Sequence, residues 1–118
     1  MTEKVVSNSY QKVTLPAPDS VDIGQTLSDL RLALDDLRLA GGERRQITKS
    51  MEAAEQEAKS DNPNKQSIGD HVEKALSIAR LAGDFVDVCR QLGPHVAGAA
   101  SWLGENWYKL LALVGLQV

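Results

Sequence analysis

The chain has 118 residues, of which 42% are apolar and 25% are charged, and its formal net charge is −3. This length and composition predict one globular domain, and the acidic balance argues against nucleic-acid binding, which depends on lysine and arginine contacts to phosphates. The single cysteine, Cys89, excludes an internal disulfide.

Residues 1–24 predict an extended N-terminal arm. Pro16 and Pro18 exclude a helix, and the run from Tyr10 to Leu15 favours a short strand. Two interpretations stay open: a mobile chain end, or an arm that pairs with another subunit or with the sheet edge of a partner. The opening MTEKVVSNSY lacks the apolar core of a signal peptide, so we expect a cytoplasmic protein.

A helical hairpin is predicted next, with helices at about 25–40 and 43–60. Apolar residues recur every three or four positions in both helices, so each has one apolar face. Gly41–Gly42 is predicted to end the first helix and to form the turn. The apolar positions are Ile23, Leu27, Leu30, Leu34 and Leu37 in the first helix, and Ile47, Met51, Ala54 and Ala58 in the second.

A long central helix is predicted over residues 64–92, and Gly93–Pro94 is predicted to end it. Arg80 and Asp84, four residues apart, are expected to pair on its polar side. Two neighbouring apolar stripes indicate that this helix is buried over a broad arc. They consist of Ile68, Val72, Ala75, Ala79, Ala82, Val86 and Cys89, and of Ile78, Leu81, Phe85, Val88 and Leu92.

The last predicted helix, 95–116, is amphipathic. Glu105 and Lys109 lie in its middle, which argues against a simple membrane span because charges are costly at a bilayer centre. Two interpretations stay open: the helix is the fourth member of a bundle, or it contacts lipid or a partner. The residues proposed for that contact are Trp102, Leu103, Trp107, Leu110, Leu111 and Val114.

No motif for catalysis, cofactor binding or metal binding is found. The chain has no glycine-rich phosphate loop, no CxxC and no HExxH. Cys89 lies on an apolar stripe, which favours an inert buried thiol over a nucleophile. We therefore predict a protein that is not an enzyme and that has no catalytic, cofactor-binding or metal-binding residues.

The order of segments resembles small helical modules of bacterial conflict and anti-phage proteins. The resemblance covers roughly residues 25–118 and lies in the leucine-striped helix, the segment MEAAEQEAKS, the hinge DNPNK and the Gly/Ala/Trp/Leu tail. It implies self-assembly or coupling to an effector in bacterial immunity, with the membrane as one location. The polar GENWYK sequence in the tail departs from a spanning segment.

Together these features predict an all-α fold with an extended arm (1–24) and a helical domain (25–118). One copy cannot cover every apolar stripe, so we predict a homo-oligomer. The function expected is a non-enzymatic self-assembly or protein-interaction module of a bacterial defence system. The alternative is a membrane-active effector, peripheral at the inner membrane. The predicted assembly interface is Leu27, Leu30, Leu34, Leu37, Ile78, Leu81, Phe85 and Val88.

Overall fold

Five α-helices form most of the protein in a computed structural model that describes residues 11–118, which confirms the all-α prediction. Two 3-10 turns, Pro18–Ser20 and Glu105–Trp107, and a minor sheet of two-residue strands complete the fold. The helices are α1 (Ile23–Leu34), α2 (Gly41–Ala58), α3 (Lys65–Ala79), α4 (Phe85–Leu103) and α5 (Lys109–Leu113), and the strands are β1 (Gln11–Lys12) and β2 (Leu116–Gln117).

The apolar face of α1 is buried as predicted, but the helix is shorter than expected. Asp22 caps its N-terminus by accepting a hydrogen bond from the Gln25 N–H at 3.2 Å. The guanidinium of Arg44 donates to the carbonyl of Asp35 and closes the other end. The prediction that Gly41–Gly42 ends the first helix is wrong, because these glycines begin α2.

Helices α2 and α3 pack as a hairpin across a short connection. Ile47, Met51 and Ala54 of α2 are buried at this contact and at the contact with α1. Asn64 caps α3 by accepting a hydrogen bond from the Ser67 N–H at 3.0 Å.

An ion pair fastens α1 to α2. Arg31 Nε lies 2.7 Å from Glu55 Oε2, and both side chains are partly covered. The hydrogen bond and the charge of Glu55 raise the pKa of the Arg31 guanidinium. Arg31 therefore carries its charge at neutral pH.

The long central helix predicted over residues 64–92 is two helices. α3 ends at Ala79, a turn follows, and α4 runs from Phe85 to Leu103. The turn is held to the α1–α2 loop, because Asp84 Oδ1 accepts the Arg38 N–H at 3.1 Å. The Arg80–Asp84 pair predicted for one helix is therefore not formed, since the two residues no longer lie one turn apart.

Gly93–Pro94 does not end a helix, contrary to the prediction. Pro94 lies inside α4, where it has no N–H to donate to the carbonyl of Arg90. Arg90 and Pro94 are both exposed, so water can reach the Arg90 carbonyl, which has no helical hydrogen-bond partner. The cost of an interior proline is smaller at such a position than at a buried one.

The predicted helix 95–116 is also interrupted. Gly104 has φ 106° and ψ 176°, a conformation that side-chain-bearing residues avoid, and it separates α4 from the turn Glu105–Trp107 and from α5. The apolar face predicted for this segment is buried nonetheless, apart from Val118. The chain reverses at Gly104 and packs its tail onto its own core.

The tail joins the two ends of the helical array. Neighbouring helices pack in the order α3, α2, α1, α4, and the segment after Gly104 contacts both α4 and α3. The indole of Trp107 lies flat against α3 at Gly69, where a Cβ atom would overlap its Cδ2, Cε2 and Cζ2 atoms. Only glycine at position 69 lets the tail approach α3 this closely.

The described part of the predicted arm packs on its own chain. β1 and β2 are parallel, with the Gln11 N–H donating to the Gly115 carbonyl and the Val13 N–H to the Gln117 carbonyl, both at 2.9 Å. The buried Ser101 hydroxyl donates to the Pro16 carbonyl at 2.5 Å. The arm predicted for residues 1–24 is extended at β1, while its residues 1–10 lie outside the described residues.

Candidate interaction groove

An open groove of about 1070 Å³ runs along one face of α4. We call it the α4 groove. Its three sides are the α4 face between Phe85 and Ala97, the arm residues 11–16, and the tail residues 112–116. Its volume lies near the upper end of typical small-ligand pockets, on the order of 300–1,000 Å³, so it has room for a segment of a partner protein.

Four-residue spacing on α4 builds the floor of the groove. Phe85, Cys89, Gly93 and Ala97 follow one another at intervals of four and therefore share one face of the helix. A Leu116 methyl carbon lies 3.4 Å from the position that a Cβ atom of residue 93 would take. The small residues at 93 and 97 thus let β2 lie close to α4.

The ionisable side chains of the lining are positive, apart from the thiol. Lys12, Arg80 and Arg90 line the groove, and no aspartate or glutamate among residues 11–118 does. The whole chain has a formal net charge of −3. Without these three cations, the rest of the chain has a net charge of −6, since −3 minus 3 is −6. The groove is therefore a basic surface on an acidic protein.

The two arginines of the groove are available to a partner. Within residues 11–118, neither the Arg80 nor the Arg90 guanidinium forms a salt bridge; the bridges found there are Arg31–Glu55 and Lys109–Glu73. Both arginines are exposed. Their charge can therefore act on a carboxylate that enters the groove.

Cys89 is the thiol on the groove floor and is half-buried. Burial raises the pKa of the Cys89 thiol, and the positive charge of Arg80 opposes that rise in part. The thiol is therefore neutral at pH 7, which is unsuited to a nucleophile. It contributes apolar surface to the floor.

Two exposed aliphatic side chains lie at the rim. Val86 lines the groove and is 81% exposed, and Leu81, whose chain neighbours Arg80 and Ala82 both line the groove, is 68% exposed. Together these two side chains add exposed aliphatic surface beside the floor of the groove. The sequence placed Val86 on a buried stripe, so its exposure was not predicted.

Most of the predicted assembly interface lies in the core of a single copy. Its buried members pack against other helices of the same chain, which is why they follow a regular stripe. Ile78 is half-buried, and only Leu81 is largely exposed. The buried members are Leu27, Leu30, Leu34, Leu37, Phe85 and Val88.

The residues predicted to contact lipid or a partner are also largely covered. Trp102 is half-buried, with Lys65 Nζ 4.8 Å from the centre of its ring. The other five, Leu103, Trp107, Leu110, Leu111 and Val114, are buried in the core. No helix among residues 11–118 combines the length and apolar character needed to cross a bilayer.

The structure brings no metal-binding set together within the described residues. There, no three histidine, cysteine, aspartate or glutamate side chains are close enough to hold an ion. The candidate functional residues that sequence reasoning missed are Lys12, Arg80 and Arg90, which line the groove. The sequence offered little indication of their role, because Arg80 and Arg90 each have an aspartate nearby. That pattern is typical of ion pairs on the solvent-exposed face of a helix.

Comparison of the chain with family models, with curated proteins and with solved structures found no match.

Proposed function

We propose that this protein is a non-enzymatic interaction module that self-assembles through the α4 groove. The observation that carries the proposal is the combination of an apolar floor, three cations and two exposed aliphatic side chains along one face of the molecule. Apolar contact supplies the affinity of such a surface, and charge supplies its orientation and its selectivity.

The arrangement of the groove favours binding over catalysis. Within the part of the chain that the structure describes, its lining offers a neutral thiol and three cations, and no histidine or carboxylate there could accept a proton from a nucleophile. A cationic apolar surface instead suits an apolar partner that carries carboxylates. The resemblance of residues 25–118 to anti-phage modules is the basis for proposing a role in bacterial defence, in the cytoplasm.

The test is self-association of the full chain, measured by light scattering and analytical ultracentrifugation over a wide concentration range. We expect a concentration-dependent oligomer. Val86→Asp should weaken association at least tenfold, because it places a charge in the apolar rim.

Val118→Asp is the matched control. Val118 is 61% exposed and does not line the groove, so the same substitution there should leave association unchanged. A wild-type chain that stays monomeric at high concentration would overturn the proposal of self-assembly. Equal effects of the two substitutions would show that the groove is not the surface involved.

The second candidate is a membrane-active effector, peripheral at the inner membrane. The partly exposed Trp102 beside Lys65 favours it, since an aromatic ring next to a lysine suits a lipid interface. Contact by the five buried residues would require the tail to leave the core. Co-sedimentation with anionic vesicles, reduced by Trp102→Glu, is the expected result for this function, and no co-sedimentation would eliminate it.

A further inference from the structure

An acidic, apolar surface on α1 has the chemistry complementary to the groove. Leu32 is 55% exposed, although most leucines of α1 are buried. Asp29, Asp35 and Asp36 lie three before, three after and four after Leu32. We call these four residues the α1 knob.

The backbone keeps the members of the α1 knob on one side of the helix. Asp35 has helical dihedral angles, and its N–H bonds to the carbonyls of Arg31 and Leu32. The Asp36 N–H donates to the Ala33 carbonyl at 3.2 Å. The helical path thus continues past Leu34, and residues three and four apart remain neighbours.

Two of the cations near the α1 knob, Arg31 and Arg44, have other partners. The Arg31 side chain is bonded to Glu55, and the Arg44 side chain donates to the backbone carbonyls of Asp35 and Leu37. The exposed Asp35 and Asp36 carboxylates are in salt bridges with no residue among those described. They can therefore accept hydrogen bonds from guanidinium groups of another molecule.

We propose that the α1 knob of one copy docks in the α4 groove of a second copy. Leu32 meets the apolar floor and rim, while Asp35 and Asp36 pair with Arg80 and Arg90. The proposal rests on the self-assembly proposed above and names the surface that enters the groove. Three carboxylates lie around Leu32 and three cations line the groove, so charge complementarity is the argument for this occupant.

The two surfaces differ, so the contact joins unlike patches of two identical chains. Such a contact either repeats from copy to copy, forming a ring or a filament, or occurs twice in a two-fold dimer. Both arrangements use the same pairs of residues. Both weaken as the salt concentration rises, because part of the attraction is between exposed charges.

A charge exchange tests the proposal with the full chain. The groove variant is R80E/R90E and the knob variant is D35K/D36K. Each alone places like charges against each other and should weaken self-association at least tenfold in analytical ultracentrifugation. An equimolar mixture of the two should associate again, because the altered groove then meets an altered knob of opposite charge.

A matched control removes effects of net charge. E52K/D70K makes the same change in net charge as the knob variant, at exposed positions on α2 and α3 outside the groove and the α1 knob. It should associate as the wild type does. Circular dichroism and thermal melts of every variant establish that each one folds.

The possible results separate the two proposals. Loss of association in the groove variant alone, with the knob variant unaffected, would overturn the knob assignment and leave the groove as the binding surface. A mixture that fails to associate would overturn it too. A wild-type monomer at all concentrations would instead overturn the self-assembly on which the inference rests.

Discussion

The helices before and after Ala79 show two ways of burying apolar residues. In the first region, residues 23–79, three helices bury regular stripes, and Asp22 and Asn64 cap two of the N-termini. In the second region, residues 80–118, most apolar residues are also buried, in one long helix, two short helical segments and a strand, but Leu81, Val86 and Val118 are exposed. Both regions bury most of their apolar residues, but only the first does so through regular stripes along its helices.

The difference shows that the effect of a glycine or a proline on a helix depends on the residues packed around it. Gly41–Gly42 begins a helix, Pro94 lies within one, and Gly104 ends one. Gly69 is needed for the approach of a neighbouring ring and not for its backbone conformation, since its φ is not positive. Only Gly104 and Gly115 have a positive φ among the described residues.

The largest effect is expected where the two regions meet. Gly69→Ala should destabilise the fold by about 3 kcal/mol, because the new methyl group overlaps the Trp107 indole, which is held in the core. Urea unfolding measures the change in the free energy of unfolding. The control is Gly42→Ala in α2, where nothing lies within 4 Å, and which should be neutral or stabilise by about 0.5 kcal/mol. Similar values for the two would show that the tail does not pack on α3.

The next effect concerns the break in the second region. Gly104→Ala should destabilise by about 2 kcal/mol, since alanine rarely adopts φ 106° with ψ 176°. Gly83→Ala, at a glycine with an ordinary φ and open space around it, serves as the comparison and should change stability little. Thermal melts report both. An unaffected Gly104→Ala protein would favour the continuous helix 95–116 that the sequence predicts.

A smaller effect is expected where the arm is fastened to α4. Ser101→Ala removes the hydrogen bond to the Pro16 carbonyl and should cost about 1 kcal/mol. It should also speed alkylation of Cys89, because the arm forms one side of the groove. Ser77→Ala, at an exposed position on α3, is the control for both measurements. Unchanged alkylation would mean that the arm does not shield the groove.

The smallest effect is the pH dependence contributed by Cys89. Burial raises the pKa of its thiol in the folded protein, so the neutral thiol is the favoured form. Its contribution to stability is fully present below the pKa of the unfolded chain and is lost as the pH rises through the folded pKa. The rate of alkylation against pH should give a higher apparent pKa than the urea-unfolded chain. A lower pKa would indicate an activated thiol and contradict an inert one.

Sequence periodicity was sufficient for the fold class and for most of the core. The face from Ile23 to Leu37 is buried where the pattern predicted, as are Ile47, Met51 and Ala54 of α2, while Ala58 is partly buried. Helix boundaries were less predictable, because the turn at residues 80–84 depends on the distant Arg38 N–H. The groove was missed for the same reason, since its arm and tail meet across about a hundred residues of chain.

The sequence by itself determined that the protein is helical and which positions form most of its core, because local periodicity decides which face of a helix is apolar. Only the tertiary structure decided where the helices break, which leucines are covered within one copy, and which charges remain available to a partner. These outcomes depend on contacts between residues far apart in the chain, such as Gly69 with Trp107 and Ser101 with Pro16. Such long-range contacts are invisible to the local pattern of residues from which the helix boundaries were predicted.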